Sequence, residues 1–180
     1  MRICLDTNVL IWAIRQTADR SRLEMLDTAR RAVERMVRRN AEIAIPTVVL
    51  CEYLAEADSQ TRLSEESKLR ERFMILNFDG RAASEAATLR RITRLAPSEA
   101  AGGRNAIKAD AMIIACAITH KCNFILTDNT DEFRRIAKDR IPIQDLKQFV
   151  ESPNSSLMPS GERQLGIAFP DDDEESLSYS

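Results

Sequence analysis

A single histidine, His120, stands in the 180 residues of this chain. That scarcity excludes Ser-His-Asp triads and histidine-rich zinc sites. No G-x-G-x-x-G or Walker-type loop occurs either, so phosphate cradles of those kinds are absent. Cys4, Cys51, Cys116 and Cys122 show none of the paired spacings of zinc sites. They fall on predicted buried strands or helices, and free buried thiols in a reducing compartment are the expectation. No apolar stretch approaches the ~20 residues that a membrane helix needs, and no basic segment followed by a long apolar core opens the chain. A cytoplasmic protein without membrane contact is expected.

What is present is the composition of an ordinary globular domain, 44% hydrophobic and 30% charged. A chain of this length can bury roughly 70% of its unfolded surface in one core. The formal charge of −2 hides an uneven distribution. Arg15, Arg20, Arg22, Arg30, Arg31, Arg35, Arg38 and Arg39 crowd the segment before residue 40, whereas Asp171, Asp172, Asp173, Glu174 and Glu175 cluster near the end. The arginine-rich segment reads as a solvated helix face or as an RNA track. The acidic tail reads as a solvated terminus or as a shield for basic surface.

Apolar periodicity sets out alternating strands and helices. Strands are predicted at Ile3–Leu5, Glu42–Ile45, Phe73–Phe78, Asn123–Thr127 and Ile141–Ile143. Helices are predicted from Asp6-Thr7-Asn8 through Trp12, over Arg22–Arg39, from Pro46 to about Ala57, over a charged stretch after Asp58, and over Ala82–Leu95, Ala106–Lys121 and Thr130–Lys138. Ala96 to Arg104, with Pro97, Gly102 and Gly103, is the clearest loop. Such alternation implies an α/β domain over residues 1–150 with a mostly parallel sheet covered on both faces. Residues 151–180 have little to bury and read as a disordered or loosely docked tail.

Four acids sit where a carboxylate is awkward to place. Asp6 and Asp128 close apolar strands and should project from their carboxyl ends, where open α/β sheets bind ligands. Glu52 and Asp110 interrupt apolar helical stretches, where an unpaired charge is costly. Four carboxylates brought together repel one another unless a cation sits between them, and oxygen-only ligation suits Mg²⁺ or Mn²⁺. Taken singly, Asp110 could favour a helix N-terminus and Asp6 or Asp128 could cap turns, but Glu52 has no such account. Trp12 reads as core or as a base-stacking platform.

The segments Arg2–Leu10, Ile45–Glu52, Lys108–Ala115 and Leu126–Phe133 resemble, in order and spacing, the four motifs of PIN-domain ribonucleases, and the size is similar to VapC-type toxins of prokaryotic toxin–antitoxin pairs. The resemblance covers roughly residues 1–150. It implies a three-layer α/β/α PIN-like fold and a Mg²⁺- or Mn²⁺-dependent endoribonuclease acting on RNA, with a small antitoxin partner and a homodimer as the common assembly. Carried over by position, Asp6, Glu52 and Asp110 take the first three acidic places, both catalytic and metal-binding. Thr7, Asn8 and Thr127 take the polar places that steady carboxylates or water. For the fourth acid Asp128 is the choice on strand-end geometry, with Asn129 and Glu132 as substitutes. The other readings are an RNA-processing PIN nuclease without an antitoxin, a non-catalytic PIN-like module, and a receiver-like phosphoacceptor domain.

Overall fold

The computed structural model describes residues 1–95 and 104–152, with side chains for 1–92 and 108–152. Of the predicted loop Ala96–Arg104, Arg104 belongs to a helix and the rest lies outside the described residues, as does the acidic run Asp171–Glu175. Five strands, β1 (Arg2–Leu5), β2 (Glu42–Pro46), β3 (Met74–Leu76), β4 (Phe124–Thr127) and β5 (Ile143–Asp145), form a parallel sheet in the order β3-β2-β1-β4-β5. The helices are α1 (Thr7–Leu10), α2 (Glu24–Arg38), α3 (Thr47–Ala55), α4 (Arg62–Arg72), α5 (Gly80–Leu95), α6 (Arg104–Thr119), α7 (Thr130–Ala137) and α8 (Leu146–Glu151). Helix α1 runs into a π-helical turn over Ile11–Arg15, and a 3₁₀ turn spans Arg20–Arg22.

The central strands β1 and β4 are apolar because both their faces are covered. Ile3, Cys4, Leu5, Ile125 and Leu126 are all fully buried. Helices α2 and α8 pack together, as do α5, α6 and α7, which gives the three-layer α/β/α arrangement. The sequence of α2 explains its docking: Met25, Ala29, Ala32, Val33 and Met36 recur at helical spacing and are buried. Glu24 and Asp27 in its first turn and Arg35 and Arg38 in its last complement the helix dipole.

Strand order decides where a site can form. From central β1 the chain builds outward through β2 and β3, then returns to the other side of β1 for β4 and β5. The crevice outside the carboxyl ends of β1 and β4 is therefore the topological switch point of the sheet. The order also differs from the 2-1-3-4-5 arrangement of flavodoxin-like receivers, which removes the receiver reading.

The structure departs from expectation in several places, among them Pro46, which ends β2 instead of opening α3. Strand β5 begins at Ile143 rather than Ile141, because Pro142 has no N–H to give and contributes only its carbonyl, which accepts from the Ile125 amide at 3.0 Å. Helix α8 was not anticipated; Asp145 caps it by accepting from the Gln148 amide at 2.9 Å. Cys51 is exposed and Cys122 only half-buried. On α3 the inward side belongs to Val49, Leu50 and Tyr53, which leaves Cys51 facing out. All four cysteines are free thiols. Among the described residues no helix is long and apolar enough to cross a membrane.

Helix α8 seals one face through Phe149, which is 1% exposed, pairs with Phe124 at 5.9 Å between ring centroids and lies under the Arg35 guanidinium. Phe149→Ala should cost about 3–5 kcal/mol of unfolding free energy, the range for a buried aromatic truncated to a cavity. Urea denaturation of the full chain checks this.

Candidate active site

Asp6 directly follows β1, and its backbone amide still donates to the Leu126 carbonyl of β4 at 3.1 Å. The pairing of the two central strands thus carries its carboxyl to the switch point. That carboxyl is 6% exposed, caps α1 by accepting from the Thr7 amide at 2.7 Å, and accepts the Thr127 hydroxyl at 2.8 Å. Thr127, at the end of β4, also accepts from the Asn129 amide at 3.0 Å, which turns the chain into α7. Asp6 is therefore a cap, as the structural alternative held. It is also more than one, since a cap does not require burial beside other acids.

Glu52 comes from α3 and accepts a short hydrogen bond from the Thr7 hydroxyl. The position of α3 is set by Arg15, which lies 4.1 Å above the Tyr53 ring and donates at 2.9 Å both to the Tyr53 carbonyl and to Glu65 of α4. Asp110 lies on the second turn of α6, because that helix starts at Arg104. Dipole stabilisation fades within the first turn, so the capping account of Asp110 loses its basis. Asp128 is paired with Arg22 and approached by the Asn8 side-chain amide at 3.4 Å. Glu132, on the first turn of α7, is held by Arg135 at 3.0 Å.

The electrostatics join these five acids. Burial pushes the Asp6 carboxyl up to about 6; the hydrogen bonds from Thr127 and Thr7 oppose this, and the charges of Asp128 and Glu52 add to it. Burial pushes Asp110 further, to about 7, with repulsion from Asp6, Glu132 and Glu52 only partly offset by Arg135. Two carboxyls raised in this way, first by burial and further by like charge, mark a candidate functional site.

All donors here are oxygens, which suits a hard divalent cation. Among the described residues no three such side chains form a finished metal cage. Glu52 is held instead by Thr7, and Asp128 by Arg22. Sequence reasoning did not single out Arg22 or Arg135. Arg22 was one of many arginines, and nothing local signals that it reaches a residue 106 positions away. It also lies over Trp12, 5.7 Å from the ring. Trp12 is 4% exposed, which makes it core and removes the base-stacking reading. His120 sits against the Asn77 carbonyl at 3.0 Å and is not among the acids' partners.

A model of the PIN domain matches residues 3–139. The chain belongs to the PIN-domain family. Three solved structures share the PIN fold with it. VapBC2 from Rickettsia felis, bound to a DNA fragment from its promoter, aligns with a TM-score of 0.59 at 21% identity, over 81% of this chain and 98% of that one. VapBC-1 from nontypeable Haemophilus influenzae gives 0.58 at 18% identity, over the same shares of 81% and 98%. DNA-bound VapBC from Salmonella typhimurium gives 0.56 at 24%, again over 81% and 98%. At such identities the likeness speaks for the fold. No curated protein matches the chain.

The raised carboxyls give this PIN domain a definite pH response when metal-free. A group whose folded pKa lies above its unfolded value stabilises the fold fully below the unfolded pKa, near 4, and loses that contribution as pH rises through the folded pKa. For Asp6 and Asp110 the loss falls between about pH 4 and 7. Asp6→Asn removes one of the two charges, so in EDTA its melting temperature at pH 8 should exceed wild type by about 5 °C, with little difference at pH 4.5. A lower melting temperature at both pH values would make Asp6 a cap and nothing else.

Proposed function

We propose that this PIN domain is a metal-dependent endoribonuclease, the toxin of a toxin–antitoxin pair, and a cytoplasmic protein. The observation that carries the nuclease reading is the pair of raised carboxyls, Asp6 and Asp110, brought from separate elements to the switch point with only oxygen donors around them. The toxin reading is supported by the VapBC structures and by a toxin–antitoxin complex from Klebsiella pneumoniae among its structural neighbours. An antitoxin partner and a homodimer are proposed on the same likeness and on the family resemblance.

Asp6, Glu52, Asp110 and Asp128 are the residues assigned to hold Mg²⁺ or Mn²⁺. A bound divalent ion would supply an acidified water and charge neutralisation for a scissile phosphate. The chain's own residues do the positioning. Thr127 fixes one oxygen of Asp6, and the Thr7 amide fixes the other. The Thr7 hydroxyl aims Glu52 at the same crevice. Burial and the neighbouring acids push the Asp110 carboxyl up to about 7, and it would hold a cation in its ionised form. Asn8 and Asn129 lie beside Asp128 and Thr127, where they can orient water or substrate.

The purified chain should cleave single-stranded RNA in Mg²⁺ or Mn²⁺ and stop on addition of EDTA. Asp6→Asn should lower cleavage at least ~100-fold, the upper end for a lost outer contact, because it removes a ligand charge. Cleavage undiminished by EDTA would sink the metal assignment.

The fourth acid is decided by comparing Asp128→Asn with Glu132→Gln in Mn²⁺ titrations and RNA cleavage. Asp128 directly follows β4 and stands in the field of Asp6, whereas Glu132 bears on Asp110 and is already matched by Arg135. Asp128→Asn should weaken both readouts strongly and Glu132→Gln mildly. The reverse order would transfer the assignment to Glu132 and leave the other three in place.

A further inference from the structure

An open cavity of about 300 Å³ beside helices α2 and α8 is lined by Arg31, Arg35, Arg38, Arg39 and Val150. Its fixed element is Arg35. This guanidinium donates to the Phe149 carbonyl at 2.7 Å, the Val150 carbonyl at 3.0 Å and the Ser152 carbonyl at 2.5 Å, and lies 5.3 Å from the centre of the Phe149 ring. Those contacts hold the group in place but leave its charge unmatched, since no carboxylate among the described residues pairs with it within salt-bridge distance. Burial lowers its pKa, and Arg39 and Arg38 lower it further by repulsion. Arg31 and Arg38 have only long pairings, to Asp27 at 3.6 Å and Glu34 at 3.9 Å, of the exposed kind that contributes little. The cavity is thus a basic counterpart of the acid crevice, and among the described residues Arg31, Arg35 and Arg38 have no close carboxylate partner.

The chain leaves the described structure at this cavity, because Arg35 binds the carbonyl of Ser152. Residues 1–152 carry 25 Lys and Arg against 22 Asp and Glu, whereas residues 153–180 carry one Arg against six acids. Eighteen residues lie between Ser152 and Asp171, enough chain for a root-mean-square span of roughly 25 Å, so return to the cavity needs no stretching. Tethering also holds the acidic run near the arginines at about millimolar effective concentration.

We propose that the acidic run Asp171–Glu175 docks in the arginine cavity between α2 and α8 of its own chain and shields that face from other polyanions. The docking is electrostatic and weakens with salt. Nothing in it depends on the ribonuclease reading.

The test compares backbone amide NMR spectra of the full chain with those of a variant carrying Asp171→Asn, Asp172→Asn, Asp173→Asn, Glu174→Gln and Glu175→Gln. Besides the substituted residues themselves, differences should concentrate on residues 31–39 and 146–152. Raising the salt to about 0.5 M, where the Debye length shrinks to a few ångströms, should bring the wild-type spectrum to that of the variant. Arg31→Gln with Arg38→Gln, both on exposed side chains, should abolish the response to tail neutralisation. In metal-free buffer, polyuridine should bind the neutralised variant several-fold more tightly than wild type. Differences that are absent, scattered over the fold or insensitive to the arginine substitutions overturn the proposal. Loss of the effect on twentyfold dilution also overturns it, by making the occupant a second copy's tail. Polyuridine that perturbs the cavity equally in both proteins overturns it as well, by assigning the arginines to nucleic acid.

Discussion

Five carboxylates arriving from five parts of the chain share one crevice at the ends of β1 and β4, and in a poorly solvated site each must be held against the repulsion of the rest. The holders differ. Asp6 has Thr127 and the Thr7 amide, Glu52 has the Thr7 hydroxyl, Asp128 has Arg22, and Glu132 has Arg135. Asp110 has no hydrogen-bonding partner among the described residues, and its carboxyl is the most strongly displaced of the group. The fold can be read outward from this constraint: Arg15 pins the helix that carries Glu52, and the β1–β4 pairing sets Asp6 and Thr127 side by side.

The sheet and most of the helices were legible because period and punctuation agreed. Apolar runs ending in an acid marked the carboxyl ends of β1 and β4, and the spacing of Met25, Ala29, Val33 and Met36 marked the buried side of α2. Short elements were less visible. Helix α8 has six residues, too few for a clear period, and its only sign was Asp145 ahead of Leu146 and Phe149. The acids could be named from position, but their partners could not. Arg22 and Arg135 are recognisable only when the fold brings them to Asp128 and Glu132. Cys51 was misjudged because an apolar neighbourhood in sequence is not one side of a helix.

Charge is separated on a scale larger than any single pair. Negative charge gathers at the switch point, and positive charge gathers between α2 and α8. The formal charge of −2 averages the two and conceals both. A polyanion meeting this surface would find attraction at one place and, without a cation in the crevice, repulsion at the other.

Thr127 shows how little is needed to make such a site directional. A hydroxyl has one proton to give, and here it goes to Asp6, while the oxygen is already engaged by the Asn129 amide. Nothing remains for Asp128 next door. The two strand-end acids are therefore not interchangeable: one is held by a hydroxyl and a backbone amide, whereas the other is paired with the Arg22 guanidinium. What looks like a symmetrical ring of acids is thus divided into a half held by neutral donors and a half held by arginines.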